Sequence, residues 1–310
     1  MSELRFVLSL TNADNDYQVE QAAAAKDAAE RLGVSLEILH ADNDAITQGQ
    51  QLLQIIQSAS GPRRHAILFE PVGGTGLPQV AKAAAAAGMG WAVLNRDVEY
   101  LQEIRSAFHV PAFSITSDHE EIGRIQGRQI AALLPNGGSV LGIQGPSQSL
   151  AAKQRTAGML ETKPSNVNVR SMRASWTEAS AYRVISSWLR LSTSRQAPID
   201  LVAAQDDSMA MGARKAFQEL AGDSTEWWSD VPLLGCDGLP NSGQAWVRQK
   251  FLTATIYIPA NAGKAVGMMV NAIQNGTMPP ERTLTTPVSY PPLNTLAPLA
   301  SAARKFSAGV

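Results

Sequence analysis

The sequence predicts an α/β protein whose strands form parallel sheets, and three observations carry that expectation. Short β-rich apolar runs alternate with longer helical runs from end to end, the pattern of strands joined by crossover helices. Helical runs such as QAAAAKDAAERLG and LPQVAKAAAAAG end on Gly33 and Gly88, which are good helix stops. Twice between Leu201 and Gly238 a strand-like run halts at acidic residues, first in LVAAQDDSMAMGARKAF and then in VPLLGCDGLPNSG. In an open parallel sheet, residues just past the carboxyl ends of neighbouring strands converge on one crevice. Asp206, Asp207 and Asp237 hold that position. Ionised carboxylates are acceptor-only and take hydroxyl donors well, so the crevice suits a sugar or polyol.

Taken in order, the first strands are expected at 5–10, 35–39, 66–69 and 91–94, each followed by a helical stretch. The alanine-rich helices are read as packing helices whose small residues sit close on a sheet. A second alternating series begins after SITSD, with strands at 139–143, 167–172, 201–203 and 233–235, so two sheets are expected. EPVGGTG follows a strand and precedes a helix, yet lacks the GK[ST] ending of a phosphate loop and the G-x-G-x-x-G spacing, and is read as a tight βα turn. The segment 291–310 has little periodicity and is read as a surface extension or frayed end.

Composition excludes several function classes. Apolar residues make up 45% of the chain, charged residues 17%, and the formal net charge is -1, with no basic stripe for nucleic acid. The single cysteine, Cys236, rules out an internal disulfide framework. His40, His65, His109 and His119 lie far apart and never at metal-ligand spacing, so neither a metal nor another cofactor is expected. No apolar run reaches the ~20 residues of a membrane span. The amino terminus enters a strand without a leader, which is read either as a secreted protein given without its signal or as a cytoplasmic one. Nucleophilic catalysis finds no motif.

Four segments in order, ITSDHEEIGRIQGRQIAALL, AAQDDSMAMGARKAF, LLGCDGLPNSG and LTATIYIPANAGKAVG, give the chain a resemblance over nearly its full length to the type I periplasmic sugar-binding proteins. This ribose-binding-like group shares its core with the effector domains of lactose-repressor-type regulators. The resemblance implies two doubly wound parallel-sheet lobes joined by three hinge crossings, near Ser117, Tyr257 and Val288. The first lobe would be residues 1–116 plus 258–287, the second 117–257 plus 288–310, with ligand between them.

The resemblance also implies site residues. Asn15 and Tyr17 fall on the first ligand loop, with Tyr17 stacking on a sugar ring, although a loop that simply caps the next helix is the plainer reading of NADNDYQ. Arg96 matches a ligand-binding arginine whose fork donates to ring and hydroxyl oxygens, against the alternative of a surface pair with Asp97. Asn95 stands where an aspartate is usual. Arg155, on the first exposed face of its helix, matches the second ligand arginine, and Trp176 the aromatic laid against the sugar, unless it is a core tryptophan. Asp206 stands where asparagine is usual, Asp237 where aspartate is, and Asp207 is read as a helix cap. Cys236 replaces a bulky aromatic and is expected to enlarge the pocket. Two arginines and two aspartates balance the site's charge.

The expected function is a monomeric receptor that delivers a small sugar or polyol to an ABC-type importer, without enzymatic chemistry. The alternative is a cytoplasmic sensor on the same lobes without a DNA-binding module. A glycosidase using Asp206 and Asp237 is disfavoured because the arginines would hold both ionised.

Overall fold

The computed structural model describes residues 3–58, 63–73, 76–191, 199–221 and 231–299. Its first sheet is six-stranded and parallel throughout. It comprises β1 (Leu4–Leu10), β2 (Val34–His40), β3 (Ala66–Phe69), β4 (Gly90–Leu94), β5 (Ala112–Ser117) and β11 (Arg282–Thr285), in the order β11-β5-β4-β3-β1-β2. Strand alternation divides the apolar side chains between two cores. Phe6 and Leu8 of β1 face one side, with helices α1 (Asp16–Leu32) and α10 (Ala262–Asn275). Val7, Ile67, Phe69 and Trp91 face the other, against α2 (Ala45–Gln57), α3 (Pro78–Ala86) and α4 (Leu101–Phe108).

The second sheet is four-stranded and parallel, in the order β7-β6-β8-β9, from β6 (Gly138–Gln144), β7 (Val167–Arg173), β8 (Leu201–Ala204) and β9 (Leu233–Leu234). One face packs on α7 (Glu178–Leu189) and α8 (Asp207–Ala221), the other on α5 (His119–Leu133) and α6 (Leu150–Thr162). β10 (Thr255–Tyr257) pairs antiparallel with β12 (Val288–Tyr290), and single bridges at Leu234–Ala254 and Asp237–Tyr257 run beside β9; α9 (Gly243–Arg248) lies between. The chain passes between the sheets three times: from β5 into α5, from β10 into α10, and from β11 into β12. The hydroxyls of Ser117 and Thr285 meet at 3.0 Å where two of these passages run side by side.

Eight predicted strands are present within one or two residues of their expected ends. β5, β10, β11 and β12 were not among them; the last three lie where the regular alternation of strand and helix breaks off. The segment after Pro291 runs over the surface, as one of the two expectations had it, and is not frayed in its described part. As far as residue 299 it docks, with Leu296 and Leu299 packed on the α5–α6 core and the Leu299 N–H donating to Leu133 O at 2.9 Å; residues 300–310 lie outside the described residues.

Helices α5 and α6 cross at glycine. A Cβ on Gly123 would lie 2.1 Å from the Arg155 carbonyl oxygen, and one on Gly158 would lie 2.0 Å from that of Glu120. Backbone on both sides leaves nothing flexible to yield. Gly123→Ala is therefore expected to cost about 1–3 kcal/mol of stability through overpacking, read as a lower thermal unfolding midpoint. Because the obstructing carbonyl belongs to Arg155, the same substitution displaces the segment of α6 that aims this arginine.

Candidate functional site

Between the carboxyl ends of the two sheets lies a cavity of about 420 Å³. Asn15, Tyr17, Asn95, Arg96, Arg155, Trp176, Asp206 and Asp237 all line it. The first four come from the β1–α1 and β4–α4 connections and the start of α1. The others come from α6, the β7–α7 connection, the start of α8 and the loop after β9. A neighbouring cavity of about 230 Å³ opens toward the hinge past Arg96, Ser117, His119, Gln154 and Arg282.

On the first-lobe wall, the helix-cap reading and the site reading of Asn15 both hold. Its Oδ1 accepts from the N–H groups of Tyr17 and Gln18, while Nδ2 donates across the cleft to Trp176 O at 3.3 Å. Tyr17 is buried among Ile122, Ile125, Cys236, Leu239, Ile256 and Ile258, and its hydroxyl reaches Asn95 Oδ1 at 3.4 Å and Pro259 O at 3.3 Å. Asn95 takes a left-handed backbone, φ 56°, a conformation asparagine tolerates better than most residues. Its amide is engaged on both ends: Oδ1 accepts from Asn261 Nδ2 at 2.6 Å and Nδ2 donates to Glu70 Oε2 at 2.9 Å. Arg96 does not pair with Asp97, as the surface alternative had it. Asp97 binds Arg282 at 2.8 Å, and Arg96 turns to the cavity, in the field of Glu70.

On the second-lobe wall, Arg155 is 8% exposed, so it lies buried and not on an exposed helix face. Its guanidinium stands 5.5 Å over the Trp176 ring and 4.0 Å from Asp237 Oδ1. Nη1 donates to Gln205 O and to Cys236 Sγ, and Nε has no partner. Trp176 combines a left-handed backbone, φ 59°, with a ring packed on Gly145, where a Cβ would come within 2.1 Å of it. Cys236 is fully buried behind Arg155 and is not among the described residues lining the cavity, where Arg155 forms the wall instead.

Asp206 lines the cavity as expected, but the capping role expected of Asp207 falls to it as well. Asp206 is the helix cap, accepting from the Met209 N–H at 2.5 Å while also facing the cavity. Asp207 lies behind it as a tether: Oδ2 accepts from the Gly238 N–H at 2.7 Å and Oδ1 from the Thr255 hydroxyl at 2.6 Å, binding α8 to the loop after β9 and to β10. A two-aspartate sequence leaves open which of the pair is the cap.

Glu70 and His119 were missed. Glu70, the first residue of the expected tight turn, lines the cavity and is held by Asn95 and by Gln21 Nε2 at 3.5 Å. Its place just past β3 was the available signal. His119 opens α5 and lines both cavities. Both its ring nitrogens are buried without a hydrogen bond of good geometry, although the Asn95 backbone acts on the ring. Burial pushes it down to about 3, with Arg155 and Arg96 adding to the effect, so the imidazole is neutral. Among the described residues no cluster has the makings of a metal site.

Burial raises all three aspartates on this wall. Asp206 is pushed up to about 6 and Asp207 to about 8, and Asp237 lies well above the usual range, with Asp206 adding repulsion. Desolvation thus outweighs Arg155, contrary to the expectation that the arginines hold the carboxylates ionised. The native chain keeps protons that the unfolded chain, with an ordinary value near 3.8, has lost, so these groups make stability fall as pH rises toward 8. His119 acts oppositely, lowering stability as pH falls below 6.5. Between pH 6.5 and 8 the raised Asp207 and Asp237 lower stability as pH rises, and the ligand-free chain is expected to melt higher at pH 6.5 than at pH 8 by calorimetry.

A family model described as a periplasmic binding protein domain matches residues 6–278. The D-allose-binding periplasmic protein of Escherichia coli K12 is 26% identical over 281 residues, covering 89% of this chain and 86% of that protein. The galactofuranose-binding protein of the same organism is 24% identical over 288 residues, covering 92% and 86%. Among solved structures, a galactofuranose binding protein superposes with a TM-score of 0.79 at 23% identity, over 93% of this chain and 94% of the other.

Proposed function

The chain belongs to the periplasmic binding protein family, and from that premise we propose that it is a solute-binding receptor for a small sugar or polyol, which it encloses between its lobes and passes to an ABC-type importer. The observation that carries this reading is the cavity itself. Polar and aromatic side chains from two separate sheets converge on a space of about 420 Å³, and several retain hydrogen-bonding capacity that no described residue uses. Asp237 offers acceptors and Arg155 Nε a donor. His119, neutral, offers one of each. Trp176, braced by Arg155, supplies an apolar ring.

Such a site reads a ring of hydroxyls. Charge-assisted hydrogen bonds contribute roughly 1.5–3 kcal/mol each net. Four or five, after the costs of association, correspond to micromolar affinity, about -8 kcal/mol. Closure rests on the three passages between the sheets, which together act as a hinge near Ser117, Tyr257 and Val288. The lobes are then residues 1–116 plus 258–287 and 117–257 plus 288–310. The ligand shifts the open–closed equilibrium by as much as it prefers the closed form. The relatives named as periplasmic support export of this chain across the inner membrane, and it acts as a monomer.

A thermal-shift screen against pentoses, hexoses, cyclitols and linear polyols tests the reading, because a ligand that binds only the folded chain raises its melting temperature. A concentration-dependent rise with a few stereochemically related compounds is expected. Well-folded protein that responds to none of them contradicts a sugar or polyol receptor.

A further inference from the structure

The cleft has two compartments, and the receptor reading uses one of them. The larger, of about 420 Å³, already has the size that encloses a small ligand by itself. The smaller, of about 230 Å³, lies beside it toward the hinge, and Asn95, Arg96, Ser117, His119 and Ala151 line both. It too is walled by elements of both sheets. Asp97, Arg282 and Leu284 come from the β4–α4 connection and β11, while Leu150 and Gln154 come from α6.

The residues at the boundary leave room and unspent hydrogen-bonding capacity. On α6 the boundary residue is Ala151, whose side chain is a single methyl group. One turn further along the helix, Gln154 lines the smaller compartment and Arg155 the larger. His119 also stands at the boundary, with both ring nitrogens buried and without a hydrogen bond of good geometry. Neutral, it holds one donor and one acceptor. Arg96, half-buried in the field of Glu70, is presented to both spaces as well.

The other charges of the smaller compartment are matched among themselves. Arg282 binds Asp97 at 2.8 Å, Asp118 accepts from the Glu121 N–H at the start of α5, and Glu120 pairs with Arg124 at 3.3 Å. A phosphate or carboxylate placed here would face Asp97, Asp118 and Glu120 and find Arg96 already engaged by Glu70. What is left to recognise a ligand is the Gln154 amide, to which no described residue is hydrogen-bonded, and two apolar flanks. These are Leu150 and Leu284, 45% and 40% exposed. An amide that both donates and accepts, set between apolar surfaces, suits a neutral sugar or polyol unit, with hydroxyls on its edge and C–H groups on its face.

We propose that the ligand has two joined units, a neutral disaccharide or a glycosylated polyol. One unit lies against Trp176 and Arg155, the other beside Gln154 between Leu150 and Leu284, and the linkage passes Ala151 and His119. This rests on the receptor reading and narrows it to a size class.

The test is calorimetric titration of the full chain with maltose, cellobiose, lactose, melibiose, trehalose, galactinol and glucosylglycerol, each beside its two component units. One of these compounds is expected to bind about tenfold or more tighter than either of its units, the gain of one or two net hydrogen bonds. Leu150 and Gln154 line only the smaller compartment, and the exposure of Leu150 lets a larger side chain fit without overpacking. Leu150→Trp is expected to abolish the gain and Gln154→Ala to cut it by about threefold, while affinity for the single unit and the unfolding midpoint stay unchanged. A single sugar or polyol that binds as tightly as every two-unit compound overturns the two-unit ligand and leaves the receptor reading standing. Variants that keep the whole gain overturn the assigned seat. Silence with single units and two-unit compounds alike overturns both readings together.

Discussion

Arg155→Met is expected to abolish measurable ligand binding while the chain stays folded. Three functions meet in this side chain: it braces Trp176, it is, among the described residues, the cation beside Asp206 and Asp237, and it presents an Nε without a described partner. Removing one member of a buried charge pair typically costs 2–5 kcal/mol, or about 30-fold to several thousandfold in affinity. For a micromolar site the upper part of that range lies beyond ordinary calorimetric detection. Methionine keeps most of the volume, so packing against Gln205 and Cys236 survives. The orphaned Asp237 can take up a proton, since burial already raises it well above the usual range. The unfolding midpoint should therefore change little compared with the loss of binding. Titration with a compound from the thermal-shift screen, beside a melting curve of each protein, checks both halves of the expectation.

Asp207→Ala is expected to do the reverse, breaking the fold of the second lobe before it changes specificity. This carboxyl accepts from the Gly238 N–H and the Thr255 hydroxyl in a fully buried pocket, and Gly235 and Gly243 close around it so tightly that a Cβ on either would lie 2.0 Å from its oxygens. Alanine removes two hydrogen bonds and leaves a buried backbone donor without a partner, about 3–5 kcal/mol in all. At roughly 2–4 °C per kcal/mol for a domain of this size, the midpoint should fall by on the order of 10 °C. Asp207→Asn keeps acceptor capacity and should lose about half as much. A melting series of the three proteins at one pH decides it, and equal midpoints would show that the tether carries no load.

The wall residues were legible because they lie just past strand ends, where parallel-sheet geometry gathers side chains whatever their sequence separation. That rule placed Asp206 and Asp237, and likeness to a family placed Asn15, Tyr17, Asn95, Arg96, Arg155 and Trp176 on one cavity. It could not say which way each side chain would be spent. Asn95 is tied into a network with Asn261 and Glu70 that joins residues as much as 166 positions apart. Asp206 and Asp207 differ only in a rotation of the first helical turn. Glu70 and His119 escaped notice for a related reason. A lone glutamate ahead of PVGG reads as a turn, and a lone histidine at a helix start carries no signal of its own, until the facing wall of the cleft covers each. The carboxyl protonation states were likewise invisible, because they depend on burial and not on which charges are neighbours in the chain. Among the strands, β5, β10, β11 and β12 were not foreseen, and β10 and β12 pair with each other outside the two parallel sheets, where no alternation of strand and helix announces them.

The central claim is that the cavity between the two lobes binds one small polyhydroxylated molecule, and calorimetric titration of the unmodified chain and of Arg155→Met with the compound giving the largest thermal shift tests it most directly. The account predicts a single site of about micromolar affinity in the unmodified chain and no measurable heat of binding in the variant. Equal affinity in the two proteins would place the ligand elsewhere and contradict the assignment of the cleft.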